Sequence, residues 1–306
     1  MRTWILKRVL VAIPTLLVLL TLTFALVRAA PGGPFDSERS LSPAVERAMA
    51  TAYHLDEPVH RQYLRYMAAI LAGDLGPSFQ YPGIRVSDLL AAGFPVSFTL
   101  GVNALMLALV LGIGIGFYSA VHQGRWQDRG LMAVAMAGVA TPVFVVAPLL
   151  VLVVALHWEL LPAGGLDAGW RSYVLPVVAL ALPLAATVAR LARASLIEVL
   201  SQDFVRAARA RGLPETAVIL RHALRPALVP IVSWLGPAAA GVMTGSVVVE
   251  QIFDLPGIGR FFVQGALNRD YTLVTGVVLL YGMLIVFFNL LVDLAYARLD
   301  PRTRLS

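Results

Sequence analysis

The chain has 306 residues, of which 58% are hydrophobic and 14% charged, and its mean hydropathy is +0.78. Soluble domains typically carry about 25% charged residues, so this composition excludes an ordinary soluble globular protein and indicates lipid as the solvent. The sequence contains no cysteine, which excludes disulfides and thiolate metal sites within the chain.

Six long apolar segments without Asp, Glu, Lys or Arg follow one another along the chain. A helix needs roughly 20 apolar residues to cross a bilayer, and it satisfies its own backbone hydrogen bonds, which lipid cannot do. We therefore predict an all-α, polytopic membrane protein with six transmembrane helices. The segments are 9–27, 96–121, 131–156, 173–189, 227–249 and 272–292. They divide the chain into residues 1–95, a first span with a long outer loop, and residues 96–306, a five-helix core.

The first apolar segment has a second interpretation. Arg2, Lys7 and Arg8 precede a stretch that ends near small residues, as in a secretory signal peptide. The stretch is longer than a usual signal core, and Arg28 lies inside the would-be cleavage site. We therefore favour a retained membrane span.

The charge of the loops predicts the orientation. With a cytoplasmic N-terminus, segments 1–8, 122–130, 190–226 and 293–306 lie inside and carry 15 of the 24 Lys and Arg residues. This distribution follows the positive-inside rule and places both termini in the cytoplasm. The net charge of +6 is then a topology signal and does not indicate binding to nucleic acid.

The outer loop, residues 28–95, contains two predicted short helices. Ser42 and Pro43 have the residue types of a helix start. A second helix is predicted over 58–72, ending at Gly73, with its apolar residues on one face. This face either lies in the outer headgroup region or packs on the outer ends of the spans.

The predicted cytoplasmic loop between the fourth and fifth spans, at about 196–226, has a helix–turn–helix pattern. Asp203 is a candidate cap for a helix over 204–211, Gly212 suits the left-handed position that ends it, and a second helix is predicted from Pro214. The small side chains of Ala207, Ala208 and Ala210 let a partner surface approach, and arginines around them suit carboxylates on that partner. The alternative is an ordinary positive-inside loop.

The pattern Ala207-Ala208-x-x-x-Gly212 resembles the EAA motif of ABC importer permeases, with Arg206 where the motif has Glu. Further segments resemble the dipeptide/oligopeptide class of this family, among them residues 13–17, 56–58, 73–76, 250–260, 268–271 and 289–302. Thr272 and Pro226 depart from the class pattern. The resemblance implies a type I importer permease fold and a loop that docks on an ATPase subunit. The implied coupling residues are Asp203, Arg206, Ala207, Ala208, Arg209, Arg211, Gly212, Arg221, His222 and Arg225.

The same resemblance implies the partners and the location. A second homologous permease completes the pore, in a heterodimer, and two ABC ATPase subunits bind ATP and Mg. A periplasmic or lipid-anchored substrate-binding protein delivers di- or oligopeptides. The implied site is the cytoplasmic membrane of a bacterium or an archaeon. Nickel complexes or glutathione-like peptides are alternative substrates, and an ATP-independent secondary transporter or a scaffold that carries no solute are alternative functions.

The sequence shows no pattern typical of an ATP-binding, metal-binding or catalytic site. The sole lysine, Lys7, lies outside any Walker A pattern, and the five histidines lack a His-Glu-x-x-His spacing. We predict no catalytic residue, no metal site and no bound cofactor, and we expect ATP hydrolysis to belong to a partner.

Polar residues inside spans are candidates for a translocation path or for helix–helix hydrogen bonds. They are Asn103, Thr141, Thr187, Ser233, Thr244, Ser246 and Asn289. Pro142 and Pro183 are expected to kink their helices. Gly241 and Gly245 form a small-xxx-small pattern that suits contact with a sister permease or packing within the chain. Charged residues after span five are candidates for an outer gate or a binding-protein contact, or for capping within the chain: Glu250, Asp254, Arg260, Arg269 and Asp270.

Overall fold

The structure, a computed structural model, describes residues 2–29, 51 and 54–299. Within these residues it is helical, and its β-structure is one isolated bridge between Pro77 and Arg85. The helix predicted at Ser42 and Pro43 lies outside the described residues. The helices are α1 (Arg2–Ala29), α2 (Val59–Leu71), α3 (Val86–Val121), α4 (Trp126–Ala140), α5 (Val143–Leu150), α6 (Arg171–Leu200), α7 (Asp203–Ala210), α8 (Glu215–Ala217), α9 (Leu224–Gly245), α10 (Val247–Ile252), α11 (Ile258–Leu267) and α12 (Tyr271–Leu299), with π-helical stretches at Val151–His157 and Val218–Ala223.

Five helical segments in the described chain are long and apolar enough to cross a membrane, and a sixth exists if one bent pair is counted as a single span. The six predicted segments fall on these helices, so the predicted all-α, multi-span class is confirmed. The helices extend beyond the apolar runs: α3 begins at Val86 and α6 continues to Leu200. A run without charges marks the part that suits lipid, whereas the helix itself continues through polar residues at its ends.

The third predicted span is two helices rather than one. Helices Trp126–Ala140 and Val143–His157 meet at a bend of 101°. Thr141 has extended backbone angles (φ −87°, ψ 117°), because the ring of the following proline disfavours the α conformation there. The predicted kink at Pro142 is therefore present, but as a break. Pro183 lies inside α6, which is continuous from Arg171 to Leu200.

The first of two compact units comprises Met1–Ser97 and Pro256–Met283. In it the predicted helix over 58–72 is confirmed as α2, and its tyrosines pack on α1. The ring of Phe24 lies 5.4 Å from that of Tyr63 and 5.9 Å from that of Tyr66, and the Thr21 and Tyr63 hydroxyls are hydrogen-bonded at 2.8 Å. Of the two interpretations of this helix, packing on a span is the one that the contacts support.

The second unit comprises Phe98–Leu255 and Leu284–Ser306. In it α3 and α6 approach each other closely at two glycines. A Cβ atom at Gly112 would lie 2.6 Å from Cβ of Val188, and one at Gly116 would lie 2.4 Å from the carbonyl oxygen of Ala189. These glycines form a Gly-x-x-x-Gly pattern, which brings helix backbones together. Val188 also belongs to a core that includes Ile231 of α9, so α6 contacts both helices.

Candidate functional site

The predicted helix–turn–helix between α6 and α9 is present, and we call residues 201–226 the elbow. Helix α7 covers Asp203–Ala210 and is followed by a turn. Pro214 has extended backbone angles (φ −64°, ψ 147°) and precedes α8. A π-helical stretch, Val218–Ala223, then leads into α9. Prolines suit the position before a short helix because their fixed φ needs no rearrangement there.

Gly212 forms the turn of the elbow, as predicted. Its φ is +77°, in the left-handed region that glycine adopts without strain. Its amide donates to the carbonyl of Arg209 at 2.9 Å, which closes the end of α7. A Cβ atom at Gly212 would meet nothing within 4 Å. The requirement for glycine therefore comes from the backbone angle and not from crowding.

Two elbow arginines are paired within the chain. Arg209 binds Glu215 with both ends of its guanidinium, Nη2 to Oε1 at 2.5 Å and Nε to Oε2 at 3.1 Å, and so links α7 to α8 across the turn. These hydrogen bonds raise the pKa of Arg209. Arg206 lies 3.3 Å from the carboxylate of Asp203. The expectation that Asp203 caps the helix is wrong, since Gln202 is the N-cap residue and no side chain makes a capping bond.

The inner face of the elbow is part of the protein core. Val205, Ala208, Val218 and Ala223 are fully buried in one apolar cluster. The expectation that Ala208 faces a partner is therefore wrong, because the side chain is covered by the chain's own residues. The other buried members of the cluster come from the adjoining ends of α3, α6 and α9: Ala120, Leu196, Val199 and Ala227.

The outer face of the elbow carries apolar and basic side chains. Phe204 is 46% exposed and Leu220 is 65% exposed, and neither was singled out from the sequence. A signal for Phe204 was present in the sequence, since it is a large aromatic residue in a short helix rich in charged residues and alanine. Among the residues described, Arg211, Arg221 and Arg225 are exposed and form no ion pair. Other outer-face residues are Arg206, Ala207, Ala210 and the half-buried His222.

The charged residues predicted for an outer gate or a partner contact divide into buried and accessible groups. Asp270 is fully buried, and its oxygens accept hydrogen bonds from the Ser78 hydroxyl, the amides of Gln80 and Leu273 (each 3.0 Å) and the Thr272 hydroxyl (2.9 Å). This network belongs to the first unit and leaves no oxygen of Asp270 for a soluble partner.

Glu250, in the second unit, is also fully buried and accepts a hydrogen bond from the Ser246 hydroxyl at 2.7 Å. Asp254 is exposed, and Arg260 and Arg269 are half-buried. Asp254 and Arg269 both have positive φ, +49° and +55°. A direct contact with a partner therefore fits Asp254 and the two arginines better than it fits the buried carboxylates.

Most of the polar residues proposed for a translocation path bond to their own helix. Each of four side chains donates a hydrogen bond to the backbone carbonyl four residues earlier. The pairs are Asn103 and Thr99 (2.7 Å), Thr141 and Ala137 (2.8 Å), Thr187 and Pro183 (3.0 Å), and Ser233 and Val229 (3.1 Å). Such bonds satisfy a polar group inside lipid without a second helix. In the part of the chain that is described, no group of three His, Asp or Glu side chains converges as a metal site.

Two of the proposed path residues, Asn103 and Asn289, have particular surroundings. Asn103 lines a groove of about 330 Å³ between α3 and α6, beside Trp170 and Tyr173. Asn289 lies against Gly236, where a Cβ atom would come within 2.9 Å of its amide oxygen. The side chain of Thr244 lies outside the described residues. At Gly241 a Cβ atom would meet nothing within 4 Å, so that glycine does not serve close packing within the described chain.

The family is established by sequence comparison. Residues 112–305 match the model of the binding-protein-dependent transport system inner membrane component, and residues 1–100 match the N-terminal model of such membrane components. An all-α chain of five or six apolar helices with an exposed elbow agrees with this class. The chain belongs to the family of binding-protein-dependent transport system inner membrane components, and it is a multi-pass membrane protein.

Two relatives match over nearly their whole length. The oligopeptide transport system permease protein OppB of Escherichia coli strain K12 is 50% identical over 304 residues, covering 98% of this chain and 99% of the relative. The protein of the same name from Haemophilus influenzae is 48% identical over 302 residues, again covering 98% and 99%. Among solved structures, an inward-facing MetNI methionine ABC transporter aligns with a TM-score of 0.59 at 18% identity, over 69% of this chain and 96% of that one. That likeness confirms the importer-permease fold predicted from the sequence.

Proposed function

We propose that this chain is a pore-forming permease subunit of an ATP-driven importer of oligopeptides. The observation that carries the proposal is the elbow. It presents exposed apolar and basic side chains on one face, while its other face is buried against the ends of membrane-spanning helices. A motor protein that binds the exposed face would move the spans directly, because the buried face is closely packed against the ends of the spanning helices.

The substrate class is supported by similarity. Two relatives that are 48% and 50% identical over 98% of this chain are both named oligopeptide transport system permeases. Nickel complexes and glutathione-like peptides are not favoured on that basis. A secondary transporter is not favoured either, because the family is one of binding-protein-dependent systems.

The proposed partners follow from this function. Two ATPase subunits bind ATP and Mg and dock on the elbow, a second permease of the same fold forms the other half of the pore, and a soluble protein delivers the peptide from outside. This chain binds no cofactor and catalyses no reaction. Its termini and its elbow lie in the cytoplasm, in agreement with the excess of basic residues in those segments.

The test is to purify the tagged chain from its native membrane, to identify the associated proteins by mass spectrometry and to reconstitute the complex in proteoliposomes. Recovery of a second permease and of P-loop ATPases, with ATP-dependent uptake of a labelled tripeptide in the presence of the binding protein, is the expected result. Recovery of this chain alone, with uptake that needs no ATP, would contradict the proposal.

A further inference from the structure

A charged pair with a buried carboxylate and a partly exposed arginine joins α4 to α6 near the elbow. Arg193 of α6 donates from Nε to Oδ1 of Asp128 at 2.6 Å and from Nη2 to Oδ2 at 2.8 Å. Asp128 is 2% exposed. It also accepts from the amide of Gly124 at 2.8 Å and from the Ser119 hydroxyl. The carboxylate therefore fastens three parts of the second unit together: the end of α3, the turn between α3 and α4, and α6.

A pair of this kind fixes geometry more than it adds stability. Removing the Asp128 carboxylate from water is unfavourable, and this cost offsets much of what the ion pair contributes to stability. A bidentate arginine–carboxylate contact, however, holds both its distance and its angle. The helices α3 and α6 are already packed closely through Gly112 and Gly116. Asp128 and Arg193 are thus best explained by the position that they give to α4.

Helix α4 lies along α6 from this pair to the broken span. At its far end a Cβ atom on Gly138 would lie 3.5 Å from Cβ of Ala186, an ordinary contact distance. Three residues later the chain bends by 101° between Ala140 and Val143. One end of α4 is therefore held by a charged pair, and the other ends at a break where the backbone can turn.

The elbow is connected to the same place. Leu196 and Val199, on the last turns of α6, are buried with Val205 and Ala208 of the elbow. Arg193 lies one turn before Leu196 on α6. A displacement of the elbow is therefore passed along α6 to Arg193, because the packed cluster between them has low compressibility.

We propose that Asp128 and Arg193 are a positioning pair that transmits movement of the elbow to α4, which then turns about the break at residues 141–142. The inference rests on the proposed function. It adds the route by which ATP-driven movement of the elbow reaches the third predicted span, which consists of α4 and the helix after the break. In this proposal the pair binds neither substrate nor nucleotide. It acts through the orientation of α4.

The test uses the whole transporter in proteoliposomes, with uptake of a labelled tripeptide and ATP hydrolysis measured in the same vesicles. In Asp128→Asn we expect the peptide transported per ATP to fall about tenfold, within the range of coupling between sites in proteins, while ATP hydrolysis and assembly persist. Asp74→Asn is the matched control, since it removes a carboxylate from an exposed ion pair with Arg85 at 3.9 Å. That variant is expected to keep the wild-type ratio.

A distance measurement separates positioning from a merely structural role. Because the chain has no cysteine, spin labels can be placed at Val134→Cys in α4 and Leu152→Cys beyond the break, both exposed positions. In the wild type we expect ATP to change the distance between these labels, and in Asp128→Asn we expect no change. If Asp128→Asn does not assemble, Arg193→Lys carries the test, because lysine keeps the charge but not the two-point contact, and an intermediate ratio is expected.

The outcomes are distinct. A wild-type ratio of transport to hydrolysis in Asp128→Asn or in Arg193→Lys would overturn the inference, as would an ATP-dependent change of label distance that persists without the pair. Absence of ATP-dependent uptake in the wild-type complex would instead overturn the proposed function on which the inference rests.

Discussion

The strongest single test of the elbow is the substitution Gly212→Ala. A residue with a Cβ atom at φ +77° is disfavoured by about 1–2 kcal/mol. A methyl group would touch nothing within 4 Å, so the effect of the substitution comes entirely from the cost of the left-handed backbone conformation. The ion pair between Arg209 and Glu215 spans the turn, but both side chains are about half exposed, and such pairs contribute up to about 1 kcal/mol. That pair is therefore too weak to offset the strain.

A destabilisation of one to two kcal/mol lowers the ratio of native to non-native turn by a factor of about 5–30. We expect tripeptide uptake per ATP in proteoliposomes to fall, by at most this factor of about 5–30, with unchanged insertion and a small effect on ATP hydrolysis. Gly83→Ala is the control, since Gly83 has φ +80° and equally open surroundings in a loop far along the sequence. An unchanged ratio in Gly212→Ala, or an equal loss in Gly83→Ala, would refute the reasoning.

Three further predictions concern packing, docking and the buried carboxylate. Gly116→Leu should abolish accumulation of the chain in membranes, because a Cβ atom there would lie 2.4 Å from a backbone oxygen of α6, whereas Gly114→Leu, at a position with nothing within 4 Å, should accumulate normally by immunoblot. Phe204→Ala should weaken association with the ATPase subunits about tenfold, measured by co-purification at graded salt. Asp270→Asn should lower the stability of the first unit by about 1–3 kcal/mol, seen in thermal unfolding of the purified complex, because four donors would then face an amide with one acceptor oxygen.

Each of these has an outcome that would contradict it. Equal accumulation of the Gly116→Leu and Gly114→Leu chains would mean that α3 and α6 do not need close contact. Unaltered co-purification of Phe204→Ala would place the docking surface elsewhere on the elbow. A wild-type midpoint for Asp270→Asn would mean that its hydrogen bonds are replaced by water.

The sequence predicts the spans well because lipid imposes a simple condition on them. A segment that crosses the membrane as a helix must be apolar over about 20 residues, because lipid offers its backbone no hydrogen bonds, and such an apolar run is visible in one dimension. The break at Pro142 is different. A proline removes one backbone donor, but whether the helix bends slightly or turns by 101° depends on what packs on either side, which no local pattern records.

Side-chain exposure in the elbow was predictable only in part. Gly212 and the start at Pro214 are backbone requirements and were found from residue type. Ala208 was expected on the partner's side and Phe204 was not singled out, because the side of α7 that is buried depends on where α6 ends. Similarly, Gly112 and Gly116 pack between helices while Gly241 does not, although both pairs have the same spacing. The Gly-x-x-x-Gly spacing shows that two helices can approach closely there, but it does not show which helix packs against the glycines.

The arrangement of α7 explains how a helix of eight residues can serve two surfaces. Val205 and Ala208, three positions apart, are buried against the spans, and Phe204 and Ala207, also three apart, face away from them. Ala207 on the outer face and Ala208 on the buried face keep the helix thin between them, so a partner that contacts Ala207 would lie close to the ends of α3 and α6. A rigid, thin element between two surfaces passes on displacement with little loss, since packed interiors are nearly incompressible. On this argument the alanines matter through their size on both faces, and enlarging the buried Ala208 should displace the elbow from the spans before it affects any partner.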